Sequence, residues 1–199
     1  MKAILLALAL SLAFATMAAD ENTFESQMLG FSLTKPESWH FVSANTYLQR
    51  TKEATLNDPE MDKRWKESMR APLVVIAKYP INHPDVNTTV KADAKPYGQL
   101  SSTSSGVDII NTLLPVFQKN FHEFQIEKGP FEVTLSGHKG GYIKINYVSV
   151  TTAGRYPSTS EMWIVPRENV FFILGGGYKR GAKEAPHEIA QIIQSVSIE

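Results

Sequence analysis

The second half of the chain alternates apolar and polar residues with a period of two, and this pattern constrains the fold more than any other feature. From Ile126 onward, apolar side chains occupy every second position of segments of strand length, as in strands with one buried face. Turn-forming residues separate these segments at short intervals, which favours an antiparallel meander. The predicted strands include Phe131–Leu135, Ile143–Tyr147, Thr159–Val165 and Val170–Leu174, and the predicted turns are Gly137–Gly141, Ala153–Gly154 and Pro166–Asn169.

Helical periodicity marks the C-terminal segment. Apolar residues recur from Ile189 to Val196 at the spacing of one helix face, and Pro186 precedes them where a helix can begin. We expect this helix to pack across the sheet.

A second helix is predicted just before the meander. Ser105 and Asp108 have the spacing of a capping box, although Glu or Gln usually occupies the position of Asp108. Apolar residues from Ile110 to Phe121 then follow at helical spacing. Pro115 conflicts with a straight helix, because proline lacks an N–H and clashes with the preceding turn. The helix is therefore either kinked at Pro115 or begins near Thr112.

The stretch Ala44–Arg70 is predicted to be helical, with its better-defined half at Asp58–Pro59, an N-cap followed by proline at the first helical position. Met61, Trp65 and Met69 recur every four residues in an otherwise charged segment, which indicates an amphipathic surface helix.

The remaining segments complete the predicted fold. Gly30–Thr34 and Trp39–Val42 alternate as short strands, and Leu73–Ala77 is a continuous apolar run typical of a strand buried on both faces. Prolines interrupt Pro80–Gly106, which we interpret as irregular. The pattern indicates an α+β fold, an antiparallel β-sheet flanked by helices.

The first nineteen residues have the three parts of a secretory signal peptide. Lys2 supplies the positive start, Ala3–Ala15 is apolar apart from one serine, and Ala18 and Ala19 suit cleavage, with Ala15 as a third choice. The run is shorter than a membrane-spanning helix. We expect residues 1–19 to be a signal peptide, residues 20–199 to form a single α+β domain, and the mature chain to be periplasmic, with secretion outside the cell as an alternative.

Composition excludes several classes of site and partner. The chain contains no cysteine, which excludes disulfides, thiolate metal sites, a cysteine nucleophile and a lipid anchor on cysteine. It has 20 basic and 20 acidic residues, and loss of Lys2 leaves a net charge of 19 − 20 = −1. This balance argues against nucleic-acid binding and against adsorption to anionic membranes. We expect a soluble monomer without stable membrane insertion.

Three segments resemble the PsbP/Mog1-like superfamily, which includes DcrB-related bacterial envelope proteins of unknown function. The segments are Gly30–Leu33 with Pro36 and Trp39, Leu135–His138 followed by Gly141, and the closing Gln194–Ile198. The resemblance implies an α-β-α sandwich and a non-catalytic adapter or binding function, because the better-understood members act by binding other proteins. Many bacterial members are lipoproteins, whereas this chain lacks the cysteine that such an anchor needs.

No residue pattern predicts a metal, cofactor or catalytic site. The histidines lack metal-ligand spacing, and only His83 with Asp85 and His122 with Glu123 lie near a carboxylate. Ser136-Gly137-His138 brings a serine close to a histidine, but adjacency does not supply the geometry of a triad. We therefore predict no cofactor and no enzyme activity. The five histidines are His40, His83, His122, His138 and His187.

A glycine run and the aromatic residues are the remaining candidates. Gly175–Gly177, followed by Lys179, Arg180 and Lys183, lies between a strand and a helix, as phosphate loops do. We favour a strand that bends beneath a packed helix. Tyr142 is predicted to be exposed. The aromatic residues that could line a groove are Trp39, Trp65, Trp163, Tyr142, Tyr147, Tyr156 and Phe171.

Two hypotheses for function follow. The first is an exported, non-catalytic envelope protein that binds another envelope protein through an apolar or aromatic patch. The alternative is a small-ligand-binding or hydrolytic protein with a pocket between the sheet and the stretch Ala44–Arg70, using groups such as His83, Asp85 or Arg155.

Overall fold

The computed structural model of the protein describes residues 20–80, 83 and 85–199. The predicted signal peptide lies outside these residues. The strands are β1 Thr23–Ser26, β2 Phe31–Thr34, β3 His40–Phe41, β4 Ala54–Thr55, β5 Val74–Ala77, β6 Thr89–Pro96, β7 His122–Leu135, β8 His138–Thr151, β9 Gly154–Pro166, β10 Val170–Lys179 and β11 Ser197–Ile198. The helices are α1 Ala44–Thr51, α2 Pro59–Ser68, α3 Gly106–Asn120 and α4 Ala185–Gln194.

Eight of the described strands form one large antiparallel sheet. Its order is β3-β5-β6-β10-β9-β8, and β8 pairs on its outer side with β7 and with β4. Strands β7 to β10 follow one another as the predicted meander. The small sheet has the order β1-β2-β11, so the C-terminal strand pairs with a strand from the start of the described chain.

Helices cover both faces of the large sheet. One buried cluster contains α4 residues such as Ile189, small-sheet residues such as Phe31, and sheet residues such as Phe172. The other cluster lies on the opposite face of the large sheet, under α3, where Ile109 and Ile110 pack with Ile143 of β8. The α+β class and the arrangement with a sheet between helices, both predicted from the sequence, are therefore confirmed.

Helix α3 begins where the capping box predicts. The Ser105 hydroxyl accepts a hydrogen bond from the Asp108 N–H at 3.1 Å, and the Asp108 carboxylate accepts one from the Ser105 N–H at 3.0 Å. The helix runs continuously from Gly106 to Asn120 with Pro115 inside it. The alternative start near Thr112 is wrong, because the cap satisfies the N–H groups of an earlier first turn.

The prediction of one helical stretch over Ala44–Arg70 is only partly correct. Two helices form, and the short strand β4 between them pairs with the end of β8. The second helix starts as predicted, with the Asp58 carboxylate accepting hydrogen bonds from the N–H groups of Glu60 and Met61 at 3.0 and 3.1 Å.

Two other sequence interpretations are wrong. Part of Pro80–Gly106 is the regular strand β6, which lies between β5 and β10 despite the prolines at either end of the segment. The turn predicted at Gly137–Gly141 is confined to Ser136–Gly137, and β8 already includes Gly140 and Gly141. Within the described residues, no helix combines the length and hydrophobicity needed to cross a membrane.

Candidate functional site

A groove of about 350 Å³ lies between the two helices of the first half of the chain and the sheet. The helix α1 forms one wall with Tyr47 and Leu48. The other wall is formed by Trp65 of α2 and by Met69, which directly follows that helix. Strand β6 supplies the floor. This is the region where the alternative hypothesis placed a pocket. The other lining residues are Thr51, Ser68, Arg70, Pro72, Lys91, Asp93 and Lys95.

Strand alternation places the charged residues of β6 in the groove. Val90 and Ala92 point into the core beneath α4. Because successive side chains of a strand point to opposite faces, Lys91, Asp93 and Lys95 lie on the face covered by α1 and α2. The alternation of Val90 and Ala92 with Lys91, Asp93 and Lys95 is also visible in the sequence. From the sequence alone, the segment is interpreted as irregular because of its prolines.

Lys91 lies at the inner side of this groove with its aliphatic stem across a glycine of β10. A Cβ added to Gly175 would lie 3.4 Å from Lys91 Cε and 3.6 Å from Lys91 Cγ. The ammonium group lies over the ring of Tyr47, with 5.8 Å between Nζ and the ring centroid. The phenol of Tyr47 raises the pKa of Lys91, and Asp93 adds to this increase. Together these effects outweigh burial, which lowers the pKa. Lys91 is therefore protonated at neutral pH.

The charges in the groove are predominantly positive. Lys95 Nζ lies 3.6 Å from the Asp93 carboxylate, whereas no carboxylate of the described residues lies within ion-pairing distance of the Lys91 ammonium. Arg70 at the rim donates hydrogen bonds to the carbonyl groups of Glu67 and Met69 at 3.2 and 2.9 Å. The groove is thus lined by three basic side chains, Lys91, Lys95 and Arg70, and by one carboxylate, that of Asp93.

A second polar cluster lies on the other face of the sheet. The Glu161 carboxylate, only 7% exposed, accepts hydrogen bonds from the phenols of Tyr142 at 2.6 Å and Tyr178 at 2.7 Å. Burial raises the pKa of both tyrosines, and the hydrogen bonds to Glu161 add to the shift. Since each carboxylate oxygen already has a donor, we assign this cluster to cohesion between β8, β9 and β10. The prediction that Tyr142 is exposed is wrong, because Phe131 and Trp163 pack on either side of it.

The polar cluster continues towards the edge strand β7. Lys144 Nζ lies 2.7 Å from the Glu127 carboxylate, and this hydrogen bond is the main reason that the pKa of Glu127 is lowered. Asn146 donates to the same carboxylate at 2.9 Å and accepts from the Thr159 hydroxyl at 2.6 Å. These bonds join three neighbouring strands.

The serine–histidine pair singled out in the sequence anchors the C-terminus. Ser136 Oγ accepts a hydrogen bond from the Ile198 N–H at 2.8 Å, and His138 Nε2 lies 3.0 Å from the Ile198 carbonyl oxygen. The other nitrogen of His138 contacts Arg167 at 3.1 Å. Ser136 and His138 are therefore brought together to hold β11.

The other candidate residues lie apart from one another. His83 stacks on Tyr79, Asp85 pairs with Lys179 at 2.5 Å, and Arg155 pairs with Glu123 at 2.7 Å instead of facing a pocket. None of His83, Asp85 and Arg155 lines the groove between α1, α2 and β6. Among the residues that the structure describes, no three His, Asp or Glu side chains converge as metal ligands. His40 is exposed on β3, and His187 contacts Gln191 on α4.

The glycine run belongs to β10 and not to a phosphate loop. Gly175–Gly177 pairs with β6 on one side and with β9 on the other. A Cβ on Gly176 would lie 2.6 Å from Ile189 Cγ2, so this glycine allows α4 to pack closely on the sheet. The prediction that this run lies in a strand beneath a packed helix is confirmed, whereas the pairing continues through the run without a bulge. Among the aromatic candidates, Trp39 and Phe171 are buried in the core, and Trp65 lines the groove.

Comparison with known protein sequences does not identify a family for this chain. The chain matches no protein-family model and no curated protein sequence. Solved structures with some likeness include LpqN, involved in cell envelope biogenesis of Mycobacterium tuberculosis, with 17% identity over 84% of this chain and 82% of LpqN, and a TM-score of 0.49. Cyanobacterial PsbP (CyanoP) from Synechocystis has 9% identity over 89% of this chain and 91% of CyanoP, and a TM-score of 0.49.

A Bacteroides thetaiotaomicron protein is similar over 89% of this chain, with 15% identity and a TM-score of 0.43. The chain spans about half of that protein, 48% of its length. A PsbP thus stands among the structural neighbours, as the sequence resemblance predicts. At these identities and TM-scores, the neighbours do not transfer a partner or an activity to this chain.

Proposed function

We propose that this protein is an exported, non-catalytic envelope protein that binds a ligand in the groove between α1, α2 and β6. The observation that carries the proposal is the Lys91 ammonium, which is held over Tyr47 in a concave site without a carboxylate partner among the described residues. Binding sites in proteins combine apolar and aromatic walls with a few placed polar groups. The groove has this composition.

The distribution of exposed apolar side chains favours the groove over a flat docking patch. The large exposed hydrophobic residues are scattered over several elements and loops. They are Met28 before β2, Phe41 on β3, Tyr79 after β5, Val116 on α3, and Ile126 and Phe131 on β7. Scattered residues of this kind are normal on a protein surface. Ile126 and Phe131 lie on opposite faces of the sheet, because their partners Ile145 and Tyr142 do.

We propose a non-catalytic protein because Ser136, the candidate nucleophile, holds the C-terminal strand. Ser136 Oγ and His138 Nε2 both contact the backbone of Ile198, and His138 Nδ1 contacts Arg167. A nucleophile and its base would instead need to contact each other. A partner protein in the envelope, as the resemblance implies, stays a prediction, as does the monomeric state.

Site-specific photocross-linking tests where the ligand binds. A photoreactive phenylalanine at Ser68 lines the groove, and one at the exposed Thr112 on α3 is the matched control outside it. In the native envelope, we expect the Ser68 variant to capture one component that the Thr112 variant does not. Equal capture at both positions, or capture at Thr112 alone, would contradict the proposal.

Export is tested on the untagged chain. We expect mass spectrometry of a periplasmic extract to show a mature N-terminus after Ala18 or Ala19. A chain that retains residues 1–19 and stays in the cytoplasmic fraction would contradict export, whatever the groove binds.

A further inference from the structure

We propose that the ligand of this groove is an amphiphilic anion, in which one carboxylate or phosphate group is joined to an apolar body. The anionic group pairs with Lys91, and the apolar body lies against Trp65 and Met69. This inference rests on the proposed function and names the chemical class of its ligand.

The Lys91 ammonium has no anionic partner among the described residues. A buried or half-buried charge is costly unless it is paired and hydrogen-bonded. Lys91 is partly buried, its stem is held over Gly175, and its ammonium lies over the Tyr47 ring at 5.8 Å. No carboxylate of the described residues lies within ion-pairing distance of it. An anionic group beside Nζ would form the charge-assisted hydrogen bonds that this ammonium lacks.

The other charges of the groove favour the same ligand charge. Asp93 is engaged by Lys95 at 3.6 Å, so the single carboxylate of the site is already neutralised. Arg70 at the rim adds a further positive charge. With Asp93 and Lys95 paired, Lys91 and Arg70 leave the groove with a net positive charge. This charge repels a cationic ligand and attracts an anion.

The apolar part of the ligand follows from the walls. Leu48 of α1 lies on one side of the charged floor, and Trp65 of α2 lies on the other with Met69, which directly follows that helix. These side chains present aliphatic and aromatic surface. A methionine side chain adapts to ligands of different shape. Free inorganic phosphate would contact the basic residues but leave these apolar walls exposed to water, so we expect a ligand that also has an apolar part.

Isothermal titration of the purified mature protein with ligands of one chain length tests the charge requirement. We expect decanoate or decyl phosphate to bind at least about tenfold more tightly than decanol, because a hydrogen bond to a charged group contributes about 1.5–3 kcal/mol. Decyltrimethylammonium should bind more weakly than decanol. The tighter of decanoate and decyl phosphate identifies the anionic group.

Two variants locate the effect. Lys91→Met keeps a long side chain over Gly175 and removes the charge, and Lys63→Met removes an exposed lysine of α2 that does not line the groove. We expect Lys91→Met to weaken binding of the preferred anion by about tenfold and to leave decanol unchanged. The Lys63→Met variant should behave as the unaltered protein does. A thermal melt confirms that both variants fold.

The inference is overturned if decanol binds as tightly as both anions, or if Lys91→Met and Lys63→Met have equal effects. Capture at Ser68 in the envelope, together with no preference for an anion in titration, would keep the proposed function and reject this ligand class. Binding of an anion that depends on Lys91, without capture at Ser68, would keep the ligand chemistry and reject the envelope function.

Discussion

Gly106 of α3 and Gly141 of β8 contact each other backbone to backbone. A Cβ added to Gly106 would lie 2.2 Å from Gly141 N, and a Cβ added to Gly141 would lie 2.5 Å from the Gly106 carbonyl carbon. The first turn of α3 therefore rests on the sheet without an intervening side chain. This contact explains why a glycine lies at position 141 within β8, although glycine inside a strand otherwise weakens it.

We expect Gly141→Ala to lower the free energy of unfolding by about 3 kcal/mol or more, because the new methyl group overlaps backbone atoms that cannot rotate away. Gly177→Ala is the matched control in β10, since a Cβ there meets only the Thr89 hydroxyl at 3.5 Å. Urea denaturation measures both. Equal stability of the two variants would show that α3 does not approach β8 so closely.

The buried carboxylate of Glu161 should make its tyrosine donors important for stability. We expect Tyr142→Phe to cost about 2 kcal/mol, because it removes a hydrogen bond to a buried charged group. Tyr156→Phe is the control, since the Tyr156 hydroxyl makes no hydrogen bond within the described residues. Chemical denaturation should show a loss for Tyr142→Phe only. An unchanged midpoint for that variant would argue against the bond to Glu161.

Alkaline pH should destabilise the protein through its buried tyrosines. Burial raises the pKa of Tyr147 to about 12, and the pKa values of Tyr142 and Tyr178 are also raised. The folded state thus keeps protons that the unfolded chain loses near pH 10. The resulting stability is complete below about pH 10 and is lost as the pH rises through the folded-state values.

Urea denaturation at about pH 9 and about pH 11 checks this expectation. Tyrosinate absorbance should also show a late-ionising group among the seven tyrosines. The Tyr142→Phe, Tyr178→Phe double variant should lose less stability between the two pH values than the unaltered protein. Simultaneous ionisation of all tyrosines in the folded state would contradict the burial described here.

The C-terminal strand should loosen when its anchor is removed. Ser136→Ala deletes the acceptor of the Ile198 N–H, which we expect to cost about 1 kcal/mol and to increase amide exchange at Ile198 by about fivefold. Ser149→Ala on the same sheet is the control. Hydrogen exchange followed by NMR distinguishes the two. Unchanged protection at Ile198 would show that pairing with Phe31 is sufficient to hold β11.

Local patterns in the sequence predicted the elements of the fold. The alternation after Ile126, the capping box at Ser105 and Asp108, and the helical spacing from Ile189 to Val196 each report which side of one element is apolar. That information is contained in neighbouring residues, so strands β7 to β10 and the helices α3 and α4 could be predicted. The strand β6 could not, because prolines at the ends of its segment masked an alternation confined to eight residues.

Contacts between distant segments decided the rest. Gly140 and Gly141 suggest a turn when read locally. Only the approach of Ile164 to Gly140 and of α3 to Gly141 shows that they are packing positions in a strand. Lys91 is one charged residue among many in the sequence, and its position over Gly175 and Tyr47 depends on segments far from it along the chain. Periodicity describes the faces of single elements, whereas a groove forms only when several elements meet, and that geometry belongs to the tertiary structure.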